Sequence, residues 1–126
     1  MMRVLVLSLM VVLGGCSTVK EWIPSFWDPN QSARIVDIRL DALAIDCSQP
    51  QVPQLKPLQR DLLWFKEYST SKGMTQGDVL RVVQPIDAIV SEWAERGEGS
   101  RGYCTIKRKL LLEQSERAAQ VIQGRW

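Results

Sequence analysis

A small all-α protein, an antiparallel bundle of about four helices stapled by one disulfide, is what this 126-residue sequence predicts. Three observations lead there. Apolar residues recur at spacings of three and four in four separate segments, the pattern of helices that each bury one face. Short stretches rich in proline or glycine, which end helices and turn chains, separate those segments. Cys47 and Cys104 fall at the end of the first segment and the start of the last, positions that an up-down-up-down bundle brings to the same end.

The first segment is "ARIVDIRLDALAIDC", with Asn30 and Ser32 as caps for a helix beginning near Ala33. Ile35, Ile38, Ala42 and Ile45 form one stripe, and Val36, Leu40, Leu43 and Cys47 repeat it on the adjacent face. So wide an apolar arc predicts a helix buried between others. Val36 to Ala42 also alternates apolar and polar, as a strand does, but the length and the alanines favour helix.

"SQPQVPQLKP" holds three prolines and reads as an extended connector without regular helix. Pro57 then suits the first turn of a second helix, in which Leu58, Leu62 and Phe65 align and Gly73 is the stop. Thr75 and Asp78 have the spacing of a capping box. From there Val79, Val82, Val83, Ile86, Ile89, Val90 and Trp93 make the most regular stripe in the chain. Pro85 interrupts that stripe and predicts a kink or a break into two short helices.

"ERGEGSRG", residues 95 to 102, is a loop by its three glycines. The last helix runs from Tyr103 to about Gln123 on the stripe Cys104, Leu111, Ala118 and Ile122, with Gly124 capping it and Arg125 and Trp126 as a tail. Its basic run Lys107-Arg108-Lys109 is followed by Glu113 and Glu116, which reach it across a turn. A solvated face explains that run more simply than a patch for phosphate or acidic lipid.

Ahead of the helices, Arg3 precedes an apolar run from Val4 to Leu13 that is interrupted only by Ser8. A bilayer span needs about 20 residues, so this run has the form of a secretory signal instead. It closes as Leu13-Gly14-Gly15-Cys16, which resembles the lipobox of bacterial lipoproteins. The resemblance covers residues 1 to 17 and implies cleavage before Cys16, with a covalent lipid on that cysteine. In that family an aspartate after the cysteine retains the protein at the inner membrane. Ser17 therefore implies a lipid anchor on the periplasmic face of the outer membrane. Two or three acyl chains also meet the physical requirement for stable anchoring.

The resulting organisation is a signal peptide over 1–15, a lipidated, aromatic-rich tether over 16–32 and a helical domain over 33–126. "STVKEWIPSFWDPNQS" opens the mature chain with two prolines and with Trp22, Phe26 and Trp27, unlike a plain flexible linker. Two roles are open to those rings: contact with the membrane interface, or packing back on the domain. Cys47 and Cys104 are then an even pair in an exported chain, where a disulfide is the default. A loop of that length is stabilised by about 4 kcal/mol in the chain-entropy picture.

Sixteen basic and fourteen acidic residues leave no electrostatic case for nucleic acid. With no histidine, the commonest general base and metal ligand are both missing, and no glycine-rich phosphate loop or nucleophile elbow occurs. No cofactor, metal or small-molecule substrate is indicated. Asp37, Asp41 and Asp46 are the carboxylates that can share one region, and Asp37 and Asp41 share a helix face. Of the tryptophans, Trp64 lies off its helix stripe and Trp126 ends the chain, so either can anchor a partner as readily as fill a small core.

The expected function is a noncatalytic module at the membrane that binds or positions another envelope protein. In size and layout it is similar to the pilotins of secretion systems, small lipidated helical proteins with a disulfide. A phage-encoded or accessory lipoprotein that blocks infection or perturbs membranes is the alternative. A carboxylate-based peptidoglycan hydrolase is the weakest reading.

Overall fold

A computed structural model describes residues 25–73 and 76–125 as four antiparallel helices in up-down-up-down order, with no strand among them. They are α1 (Pro29–Leu43), α2 (Gln51–Ser71), α3 (Gly77–Arg96) and α4 (Arg101–Gln123). Each packs on its neighbours in sequence, and α4 packs back on α1 to close the ring. The segment that also alternates like a strand is therefore helical. Cys47 and Cys104 are bonded, with their Cα atoms 5.6 Å apart.

α1 starts four residues before the predicted Ala33, because Asp28 and Pro29 together make a stronger start than Asn30 or Ser32. The Asp28 carboxylate accepts from the backbone N–H groups of Asn30 and Gln31, and Pro29 occupies the first turn, where no donor is missed. Ser32, within the helix, instead hydrogen-bonds the Gln123 side chain at the end of α4. Ile35, Ile38, Ala42 and Ile45 are buried as expected. The adjacent face is not: Val36, Leu40 and Leu43 lie in water, Leu40 with 56% of its surface exposed.

α2 begins inside the proline-rich stretch, which is helix and not an extended connector from Gln51 onward. Pro50, Pro53 and Pro57 fall at helical spacing, and all three are exposed. Pro53 sits in the first turn, where its missing N–H is harmless, and the carbonyl that Pro57 leaves unpaired belongs to Pro53, on the solvent side. Leu55 thereby joins Leu58, Leu62 and Phe65 in the core. Gly73 follows the helix with φ of +92°, a left-handed position that glycine alone adopts freely.

α3 continues through Pro85 as one helix, so the expected break into two short helices does not occur. The carbonyl deprived of its donor is that of Arg81, an exposed residue, so water replaces the lost bond. Val79, Val83, Ile86, Val90 and Trp93 are buried, with Val82 and Ile89 at the margin of the core. The Asp78 carboxylate takes up Ser25, while Thr75, its partner in the expected capping box, lies outside the described residues. The loop before α4 is only Gly97 to Ser100, with Gly97 at φ of +82° and the Ser100 hydroxyl accepting from the Tyr103 N–H at 3.1 Å.

At the disulfide end the loops are closed by side chains. The Glu98 carboxylate accepts from the N–H groups of Gln51 and Val52 at 2.9 and 2.8 Å, capping α2 from another loop. Buried Gln51 accepts from the Trp93 indole at 3.0 Å and donates to the Gly99 carbonyl at 2.8 Å. Gln51→Ala leaves that indole N–H buried without an acceptor. A loss of about 2 kcal/mol is expected, read as a lower urea midpoint with an unchanged slope.

Candidate functional site

Three places present polar, aromatic or exposed apolar side chains. The first is the end of the bundle where the N-terminal segment joins it. The Ser25 N–H and hydroxyl both donate to Asp78 Oδ2 at 3.0 Å, and the hydroxyl accepts from the Arg125 guanidinium at 2.7 Å. Arg125 is buried, not a free tail, and its Nε donates to the Ile122 carbonyl to finish α4. Burial holds the pKa of Arg125 below its ordinary value, against the opposing pull of Asp78 and Asp28.

Asp28 adds a second tie at this end. Besides capping α1 it accepts from the Tyr68 hydroxyl at 3.0 Å and from Lys72. Burial opposes its ionisation, but these bonds and the Gln31 N–H outweigh it and bring its pKa down to about 2. Gln31, fully buried, donates to Ser69 at 2.9 Å and to Gln76 at 2.7 Å, joining the ends of α1 and α2 to the start of α3. Residues 25 to 32, predicted as tether, are thus built into the bundle. Between the fixed residues Ser25 and Asp28 the rings of Phe26 and Trp27 stand 82% and 45% exposed.

The second place is the seam between α1 and α2. Asp61 of α2 pairs with Arg34 at 2.9 Å, and Asp37 lies 3.7 Å from the same guanidinium. Asp41 lies within hydrogen-bonding reach of the Asp61 carboxyl, with one of its own oxygens buried and without a donor. Burial first, then the hydrogen bond and charge of Asp61 and the charge of Asp37, raise the Asp41 pKa to about 7, with Arg34 opposing. Protonation of Asp41 would give this pair the donor that two ionised carboxylates lack. Asp46 does not belong to this group: it lies at the disulfide end, accepting from Ser48, whose hydrogen bonds lower its pKa. A shallow cleft of about 360 Å³ beside Asp61 is lined by Lys56, Pro57 and Arg60.

Trp64 is engaged in the same seam. Its ring stacks on Tyr68 at 4.7 Å, lies under the Arg34 guanidinium at 4.3 Å, and packs against the core. The third place is the exposed stripe Val36, Leu40 and Leu43 on α1, spaced so that one face of the helix is apolar over two turns. The basic run on α4 is tied down: Lys107 reaches Glu92 at 3.3 Å, rather than Glu113 or Glu116, and Arg108 donates to the Leu43 carbonyl at 3.0 Å.

Cys16, Trp22 and Trp126 lie outside the described residues. Among the described residues no group of three or more metal-ligating side chains is gathered, and no helix is long and apolar enough to cross a membrane. Asp28, Asp61, Ser25 and Arg125 were not singled out from the sequence. Only Asp28 has a signal there, an N-cap aspartate followed by proline. No protein-family model matches the chain, and neither a curated protein nor a solved structure matches it.

The Asp41–Asp61 pair makes stability depend on pH. Because the folded-state pKa of Asp41 lies above its unfolded value near 3.8, the stability linked to its proton is full below pH 4 and is lost as pH rises through about 7. Asp41→Asn removes that dependence. Urea unfolding at pH 5 and pH 8 is expected to show the wild type losing about 2 kcal/mol between them and the variant losing much less.

Proposed function

We propose that this chain is a lipoprotein held at the membrane through acylated Cys16 and facing the periplasm, where it acts as a noncatalytic binding or scaffold module for another envelope protein. The observation that carries the binding role is the α1 stripe. Val36, Leu40 and Leu43 are each about half exposed on a helix whose opposite face is fully buried, so they add nothing to the core and keep apolar surface in water. A protein surface presenting an apolar strip about two helical turns long, such as one face of an amphipathic helix, fits that row.

Support for the anchor is the sequence itself, a short apolar run ending in Leu13-Gly14-Gly15-Cys16, and Ser17 favours the outer membrane. The disulfide is consistent with an oxidising compartment. The aspartates at the α1–α2 seam have a packing role that accounts for them: Arg34 pairs with Asp61, and burial beside Asp61 favours the protonated form of Asp41.

An intact mass of the membrane-extracted protein tests the anchor. Residues 16 to 126 plus acyl groups, lost in Cys16→Ala, is the expected result. A photo-crosslinking side chain at Leu40 tests the binding face, with one at exposed Gln84 on α3 as control. A discrete protein adduct from position 40 and none from position 84 is expected; equal labelling at both, or none at either, removes the binding face.

A further inference from the structure

We infer that the end of the bundle carrying Phe26 and Trp27 seats on the bilayer surface, with both rings in the headgroup region and the disulfide end directed away from the membrane. This rests on the reading of Cys16 as the lipid attachment. The chain enters the bundle at one fixed point: Ser25 is buried and held by Asp78 and Arg125, and Asp28 is held by Tyr68, Lys72 and the first turn of α1. Two residues strung between such ties have little freedom to turn inward. Phe26 and Trp27 nevertheless point out, at 82% and 45% exposure. Apolar surface left in water forgoes about 25 cal/mol per Å², which transfer to a less polar phase recovers, and tryptophan is enriched at the membrane interface.

Chain length points to the same occupant. Nine residue steps separate Cys16 from Ser25, and at no more than about 3.6 Å per residue they keep this end within about 32 Å of the acylated residue. The disulfide end lies a helix length further, roughly 35 Å for the 23 residues of α4. Among the described residues, two cations that tie the chain at this end are already matched, Lys72 by Asp28 and Arg125 by the charges of Asp78 and Asp28. Seating is therefore aromatic in character and needs no anionic lipid.

The full lipidated protein, its mass verified, is reconstituted in phosphatidylcholine vesicles with and without acyl-chain-brominated phosphatidylcholine as quencher. The difference in tryptophan emission between wild type and Trp27→Phe isolates residue 27. A loss of about half of that difference signal in quencher vesicles, persisting without anionic lipid, is expected for a ring at the interface. Phe26→Trp, at an exposed position, is expected to add a second quenched component. If the acyl groups are present and neither signal is quenched, the seating is wrong while the anchor stands. If the mass shows no acyl group, the anchor fails and the seating fails with it. A blue-shifted but unquenched Trp27 means that protein covers the ring, which also overturns the proposal.

Discussion

The bond between Cys47 and Cys104 joins the turn after α1 to the first turn of α4 and closes the bundle's first and last elements on each other. α1 is short, at 15 residues, and buries only one row of side chains against its neighbours. A helix of that length is marginal by itself, and most of its stability comes from packing. The bond is reinforced beside it, since Arg108 of α4 donates to the last carbonyl of α1. At the far end the Ser32 and Gln123 side chains tie the same two helices. α1 is therefore clamped to α4 at both ends.

Both ends of the bundle are closed by polar side chains, buried in every case but Glu98. Gln51 and Glu98 satisfy the loop groups and helix N-terminus at the disulfide end; Gln31, Asp28 and Arg125 do so at the other. The buried ones would be costly if left unpaired, so these contacts demand one register among the helices. The seam between α1 and α2 works differently. There Asp41 meets Asp61 with its pKa raised to about 7, so this contact weakens as pH rises through neutrality, whereas the Asp28 ties, with a pKa of about 2, persist through the same range.

What the sequence reveals follows from which forces are local. The stripes of α2, α3 and α4 were legible because helical period and burial coincide: Leu58, Leu62 and Phe65, or Leu111, Ala118 and Ile122, have no other arrangement that hides them. The second face of α1 was misread because periodicity alone does not distinguish an apolar face that is buried from one that is left exposed. The proline-rich stretch ending at Pro57 was read as non-helical and Pro85 as a kink or break, but the effect of a proline depends on whether the carbonyl it deprives faces core or water. Here Pro53 and Arg81 are both exposed. The bundle ends were illegible because Glu98 caps a helix 47 residues away, and Ser25 meets Arg125 only after the whole chain has folded.

α1 thus connects three features that look separate in the sequence. Its start is capped by Asp28, beside the exposed rings of Phe26 and Trp27; its outer face carries Val36, Leu40 and Leu43; the turn after its end holds the disulfide. With this helix clamped to α4 at both ends, the apolar stripe has little freedom to move relative to the point where the tether enters. If the rings seat on a bilayer as proposed, the stripe is held upright at a set height, Leu40 roughly 18 Å above Asp28 at 1.5 Å per residue. A flexible linker would present the same stripe at every height and angle. Pinning Ser25 to Asp78 and Arg125 therefore suits the proposed role, in which a partner is held in one position at the membrane.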